Sequence, residues 1–179
     1  SLDIGRCLFC AACVEACPVF IEHMPKIVKL RRNLVEMKSE CPSELLNLFE
    51  NMEQRSNPWG IAPTERTKWH MNMPVKTFAA GETEYLFFVG CSGAFDARSK
   101  AVTVALATIL DLAGVSFSIL GKDEKCCGDS VRRLGNEYLF DRMARENVEM
   151  LRSRGVAKII TQCPHCFSTL KNDYRQYGL

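Results

Sequence analysis

Ten cysteines constrain this chain more than any other feature, because nine of them form two spaced sets that the fold must gather. The first is Cys7-Leu-Phe-Cys10-Ala-Ala-Cys13-Val-Glu-Ala-Cys17-Pro18, with the form C-x2-C-x2-C-x3-C-P. The second is dispersed: Cys91, the adjacent Cys126-Cys127 followed by Gly128, and Cys163-Pro-His-Cys166. Disulfide frameworks belong to short, core-poor secreted domains. This chain has 179 residues, 47% of them hydrophobic, enough for one ordinary core. Reduced, metal-bound thiols are therefore expected, which places the chain in the cytoplasm or on the cytoplasmic side of a membrane complex.

The first set has the spacing of iron–sulphur ligands in bacterial ferredoxins. Thiolates are soft donors, and such clusters select them over most side chains. A [4Fe-4S] cluster at Cys7, Cys10, Cys13 and Cys17 is the expectation, and a zinc knot is the bland alternative. In two-cluster ferredoxins the fourth cysteine of a run ligates the other cluster. Three sources of a fourth ligand thus stay open: Cys17, the remote Cys41, or a segment outside the chain. Cys41, the one cysteine outside both sets, also suits a buried structural thiol.

The rest of the chain narrows the function classes. A net charge of +2 and a pI near 8.0 are too mild to argue for nucleic acid. No G-x-G-x-x-G, P-loop or H-E-x-x-H is present, so no flavin, nicotinamide or other nucleotide site is expected, and electrons would come from a partner that has one. Ala101 to Leu120 imitates a membrane span, with Asp111 as its only charge. The central Asp111, Gly114 and a change of character at Val115 resolve it into a helix and a buried strand. Lys26, Lys29, Arg31, Arg32 and Lys38 form a basic face, either solvated or docked on an acidic redox partner. His23 and His70 have no partner pattern and read as structural, as do Trp59 and Trp69. The absence of an initiating Met, and the closeness of both ends to cysteines, predict a piece of a longer polypeptide.

Hydrophobic periodicity divides the chain. From Glu22 to Lys38, Ile27, Leu30, Leu34 and Met37 recur at helical spacing, and Leu45, Leu48, Phe49 and Met52 repeat it from Pro42 to Gln54. Residues 1–73 are expected to be an all-helical ferredoxin-type cluster module, and 74–84 a linker. From residue 85 the pattern becomes strand–helix alternation. Tyr85 to Val89, Val115 to Leu120 and Lys158 to Gln162 read as strands. Ala97 to Ala113, Asn136 to Arg154 and roughly Pro164 to Tyr177 read as helices. Val102, Leu106, Ile109 and Ala113 are the expected inward face of the first of these, and Leu139, Met143 and Met150 that of the second. The fold class is α+β overall: the helical module, then an α/β domain over 85–179 with a small parallel sheet of three β–α units.

This topology gives the dispersed cysteines a shared place. Cys91, Cys126–Cys127 and Cys163 each follow a strand, and the carboxyl ends of parallel strands face one rim where such folds bind ligands. Helix N-termini near Cys91 and Cys163 would favour thiolates there. Adjacent cysteines suit a site with several metal atoms better than a single ion, so spacing by itself gives a multinuclear metal site. Two unrelated zinc or structural thiol pairs are the alternative.

On Val89-Gly-Cys91, Cys126-Cys-Gly128 and Cys163-Pro-His-Cys166, preceded by Cys7 to Pro18 with Val19-Phe20, the chain resembles the CCG-domain iron–sulphur oxidoreductases. These include the cluster subunits of heterodisulfide reductase and the iron–sulphur subunit of glycolate oxidase. The resemblance implies a second [4Fe-4S] cluster, non-cubane in the heterodisulfide reductase branch, held by Cys91, Cys126, Cys127, Cys163 and Cys166. It also implies electron transfer between a flavoprotein partner and a further, quinone-linked acceptor, or catalytic disulfide reduction at the second cluster. His165 has three readings: an iron ligand, a hydrogen-bond donor to a cluster sulphur, or a solvent-facing helix position, the last two being favoured. Family members usually carry two ferredoxin runs and two CCG units, where this chain has one of each. A non-redox zinc module remains the third class.

Overall fold

The computed structural model describes residues 7–179, so residues 1–6 of the expected helical module lie outside the described residues. After a short turn of helix, α1 (Ala12–Glu15), come α2 (Met24–Arg32), which continues as a π-helical turn (Asn33–Met37), and α3 (Ser43–Arg55). A 3-10 helix covers Pro63–His70. Then follow β1 (Tyr85–Phe87), α4 (Gly90–Phe95), α5 (Ala97–Leu112), β2 (Phe117–Ser118), α6 (Asp129–Leu134), α7 (Glu137–Ser153), β3 (Ile159–Ile160) and α8 (Pro164–Ser168). The last helix runs on through a π turn (Thr169–Asp173) and a 3-10 turn (Tyr174–Tyr177).

The sheet is parallel with order β2-β1-β3, Leu86 pairing with Ser118 on one side and Ile159 on the other. Its strands are two or three residues long, shorter than the apolar runs that announce them. A parallel bridge from Thr77 to Ile119 extends the β2 edge. Alternate residues of the central run point to opposite faces. Leu86 and Phe88 join a cluster with Phe140, Met143, Ala144, Val148 and Leu151, while Phe87 and Val89 join one with Trp69, Ala107 and Ile119. Each such side chain, fully buried, contributes roughly 1.5–3 kcal/mol. Phe49 and Met52 of α3 belong to the first cluster, so the helical segment and the sheet share a core.

α7 buries the expected Leu139 and Met143, with Met150 packed at the margin. α5 departs from expectation. Thr103 and Ala107 are its buried residues, whereas Val102 and Ile109 are 53% and 61% exposed and Ala113 is also exposed. Thr103 Oγ1 donates to the Gly93 carbonyl at 3.0 Å, which fixes the rotation of α5 against α4. Small residues then let the helix lie close to the sheet. Likewise α2 leaves Leu30 half-exposed and buries Arg31, so the basic face is not simply solvated. Arg31 donates to the carbonyls of Cys7 and Arg133, and Arg32 pairs with Glu137 at 2.7 Å. Among the described residues, no helix is long and apolar enough to cross a membrane.

Candidate metal centre

The dispersed cysteines converge. Cys91 lies in α4, one residue inside its start, Cys126 and Cys127 in the loop before α6, Cys163 at the N-cap of α8 and Cys166 within it. Cys91, Cys126, Cys127 and Cys166 are buried in the α7-side core cluster, and Cys163, half-buried, packs against it. The five thiols neighbour one another in the order Cys91, Cys126, Cys127, Cys166, Cys163. Among the described residues, no group of three His, Cys, Asp or Glu is arranged around one point to hold a single ion. The five thiols instead form a continuous string.

The string polarises itself. Cys127 receives hydrogen bonds from Cys126 and Cys166, which lower its pKa to about 6, and the Cys166 thiol brings Cys163 down to about 6 as well. The thiols that donate, Cys91, Cys126 and Cys166, are pushed up. Backbone N–H groups of Cys166 and His165 add to the effect on Cys163. The long helix α5 starts only at Ala97, so it is the short α4, not α5, that carries Cys91.

Two glycines make the approach of these loops sterically feasible. Gly90 has φ +76°, and a Cβ there would lie 3.0 Å from Cys166 Sγ. Gly128 has φ +82°, and its Cβ would meet a Phe140 ring carbon at 2.9 Å. Both need a backbone that L side chains rarely adopt, at positions with no room for one. The paired cysteines are also fixed through their peptides. Asn147 Nδ2 donates to the Cys126 carbonyl at 2.9 Å, Tyr174 Oη to the Cys127 carbonyl at 2.8 Å, and the Cys126 N–H donates to the Ser56 carbonyl at 3.0 Å. Ser56 is held by Asn57, which is fully buried and spans its own loop, donating to the Arg55 and Ile61 carbonyls.

Three charged groups at this rim escape the motif pattern. Arg66 Nη2 donates to Cys91 Sγ at 3.0 Å, and Nη1 to Glu124 Oε1 at 3.2 Å. Glu124 accepts the N–H groups of Val89 and Gly90, and burial pushes its carboxyl up against the opposing pull of Arg66. The position of Glu124, two residues before the cysteine pair, is a usable clue; Arg66, in an irregular polar stretch, belongs to no pattern. Asp129 is the third. It accepts from Arg133 Nε at 2.9 Å and from Thr169 Oγ1, and lies 2.9 Å from His165 Nδ1, leaving the His165 ring largely exposed.

The first set is different. Cys10 and Cys13 are exposed and Cys7 and Cys17 half-buried, on a segment whose regular structure is the four residues of α1. Phe9, Ala11 and Phe20 all have positive φ, a winding that costs each L residue about 1 kcal/mol or more. The Ile21 N–H donates to Cys17 Sγ at 3.4 Å, and that hydrogen bond leads those lowering the thiol's pKa. Arg31 and Arg133 stack on the Phe9 ring, 4.8 and 5.5 Å from its centroid, and so tie the segment to α6. Cys41 is half-buried in the loop before α3. Thiols with N–H donors aimed at sulphur are the donor set that thiolate-ligated iron clusters use.

Comparison with known proteins agrees with this chemistry. Residues 85–171 match the family described as the CCG cysteine-rich domain. The chain is 47% identical, over 99% of its length, to an EtfAB:quinone oxidoreductase of Syntrophomonas wolfei, and 40% identical to the probable iron-sulfur-binding oxidoreductase FadF of Bacillus subtilis, over 98%. It spans 26% of each of those relatives. A component of the dihydromethanophenazine:CoB--CoM heterodisulfide reductase of Methanosarcina mazei is 31% identical over 96% of the chain and 42% of the relative. No solved structure matches the chain. Residues 85–171 are a CCG cysteine-rich domain, and the chain around them is similar to iron–sulphur oxidoreductases.

Proposed function

We propose that the chain relays single electrons between a flavoprotein partner and a further acceptor, through two [4Fe-4S] clusters. The first would be held by Cys7, Cys10, Cys13 and Cys17, the second by Cys91, Cys126, Cys127, Cys163 and Cys166. The observation that carries the reading is the convergence of five cysteines at one rim, four of them buried, which is more donors than one cubane needs. When bound, the clusters supply one-electron carriers; the residues of this chain hold the sulphurs, exclude water and present N–H donors. The relatives' names support an electron-transfer flavoprotein as donor and a quinone as acceptor, and docking at the cytoplasmic side of a membrane complex is part of the same proposal. Residues 1–73 would serve as the ferredoxin-type module, 74–84 as its linker and 85–179 as the domain of the second cluster.

A second reading has an observation of its own. Cys163 and His165 are the parts of the rim that reach solvent, beside a cavity of about 520 Å³ lined in part by Cys7, Phe9, Arg31, Asp129, Arg133 and His165. A cavity at the margin of the rim, lined by Asp129 and His165, suits reduction of a disulfide substrate at a non-cubane cluster, in keeping with the heterodisulfide reductase relative.

Anaerobic iron and sulphide analysis combined with EPR tests both. Two cluster signals are expected in the wild-type chain, and Cys127→Ser should remove the second while leaving the first. Zinc without sulphide would overturn the redox readings. A second signal that changes on adding a disulfide would favour catalysis over relay.

A further inference from the structure

Arg66 and Glu124 form a buried ion pair, each side chain 3% exposed, and its arginine reaches the rim from a segment that lies before the family match. The pair grips the Cys91 turn at three points. Glu124 Oε2 accepts the Val89 N–H at 2.9 Å and Oε1 the Gly90 N–H at 2.8 Å, while Arg66 Nη2 reaches Cys91 Sγ at 3.0 Å. The guanidinium is further boxed by the Phe95 ring, 5.0 Å from its centroid, and by the Ser56 carbonyl at 3.4 Å. Folding alone gives little reason for such an arrangement. Two desolvated charges often stabilise a fold no better than apolar residues of the same volume. A rigid cation within hydrogen-bond distance of a sulphur does have a defined effect on redox chemistry. Cluster potentials respond to net charge, N–H···S hydrogen bonds and burial.

We infer that Arg66 is a positioning residue that raises the reduction potential of the rim cluster, with Glu124 holding the guanidinium on Cys91 and partly offsetting its charge. This rests on the proposed occupancy of the rim. The step concerned is a one-electron reduction, in which a reduced flavin partner loses the electron and the cluster gains it, with no bond made or broken. The added negative charge appears next to a fixed cation, so the reduced state is favoured. Arg66 lies within hydrogen-bond distance of the sulphur, whereas Glu124 contacts backbone, so the cation dominates.

The test is a potentiometric EPR titration of the anaerobic, cluster-loaded chain and its variants. Glu124→Gln keeps the volume and removes the opposing charge, so the rim potential should rise. The double variant Arg66→Gln/Glu124→Gln removes both charges and the N–H···S contact, so the potential should fall below wild type. We expect a fall of at least tenfold in the equilibrium constant for reduction, about 59 mV for one electron. The signal of the first cluster should keep its potential throughout. A purely structural pair would shift both variants in the same direction or leave both unshifted, and either result overturns the inference. If the double variant does not retain the rim cluster, Arg66→Lys decides the matter. With charge kept and the fork lost, its potential should fall by a smaller amount at unchanged iron content, and an unmoved potential overturns the inference. A wild-type chain with no rim cluster overturns the occupancy itself, a result distinct from a loaded rim whose potential ignores the pair.

Discussion

The two cysteine sites of this molecule are built on opposite plans. The first compresses four cysteines into 11 residues and holds them on exposed, left-handed backbone with one short turn of helix. The second draws five cysteines from three separate segments to the hydrophobic core, where peptide carbonyls, glycines and a buried ion pair fix them. A local site is simple to encode but must take its order from whatever it binds. A dispersed site needs the whole sheet, and is organised by packing before any metal arrives. Metal-free protein should therefore keep the rim and lose definition at the run.

The sharpest way to break this contrast is to compare two aromatic truncations in metal-free protein. Phe140 is fully buried against Gly128, so Phe140→Ala should cost about 3–5 kcal/mol by urea denaturation. Phe9→Ala removes only stacking by two arginines and should cost about 1 kcal/mol or less. Equal losses would show that the run is as deeply integrated as the rim. Next comes Gly128→Ala, which combines a left-handed backbone with a contact of 2.9 Å to Phe140. We expect a loss of about 1–3 kcal/mol, measured the same way. A smaller effect, about 1 kcal/mol, is expected of Asn136→Ala, because Asn136 accepts the Leu139 N–H and caps α7, on which the rim packs.

The last test concerns pH. The Cys163 thiol has a pKa of about 6 in the fold, below the ~8.5 of a free thiol. Deprotonation of this group thus favours the folded chain, a contribution complete above about pH 8.5 and lost as the pH falls through about 6. In metal-free protein, alkylation of Cys163 by iodoacetamide, followed by mass spectrometry, should rise through about pH 6. A midpoint near 8.5 would break the proposed polarisation of the string.

Part of this architecture is legible in the sequence, and the reasons differ by element. β1 and α7 declare themselves because their apolar residues are also their buried ones, from Leu86 to Phe88 and from Leu139 to Leu151. The convergence of Cys91, Cys126, Cys127, Cys163 and Cys166 follows from a parallel sheet, whose loops must open on one side. The short helices α4 and α6 carry too few residues to show a period, so the sequence pattern puts Cys91 beside a helix and not inside one. The phase of α5 is hidden because its fully buried residues are a threonine and an alanine, while Val104 and Leu106 pack only at the margin of the core. Arg66 is 58 residues from Glu124, and a pair at that separation leaves no trace in local pattern.

The shared core of α3 and the sheet has a consequence for inheritance. Phe49 and Met52 pack with Phe140 and Cys127, and the Ser56 carbonyl receives the Cys126 N–H, all across the boundary at residue 85 where the recurring family begins. A gene rearrangement that transplanted residues 85–171 alone would carry the cysteine signature but leave behind part of the wall that encloses it. The segment that the CCG domain spans and the segment that travels as a working cartridge are then different lengths of chain.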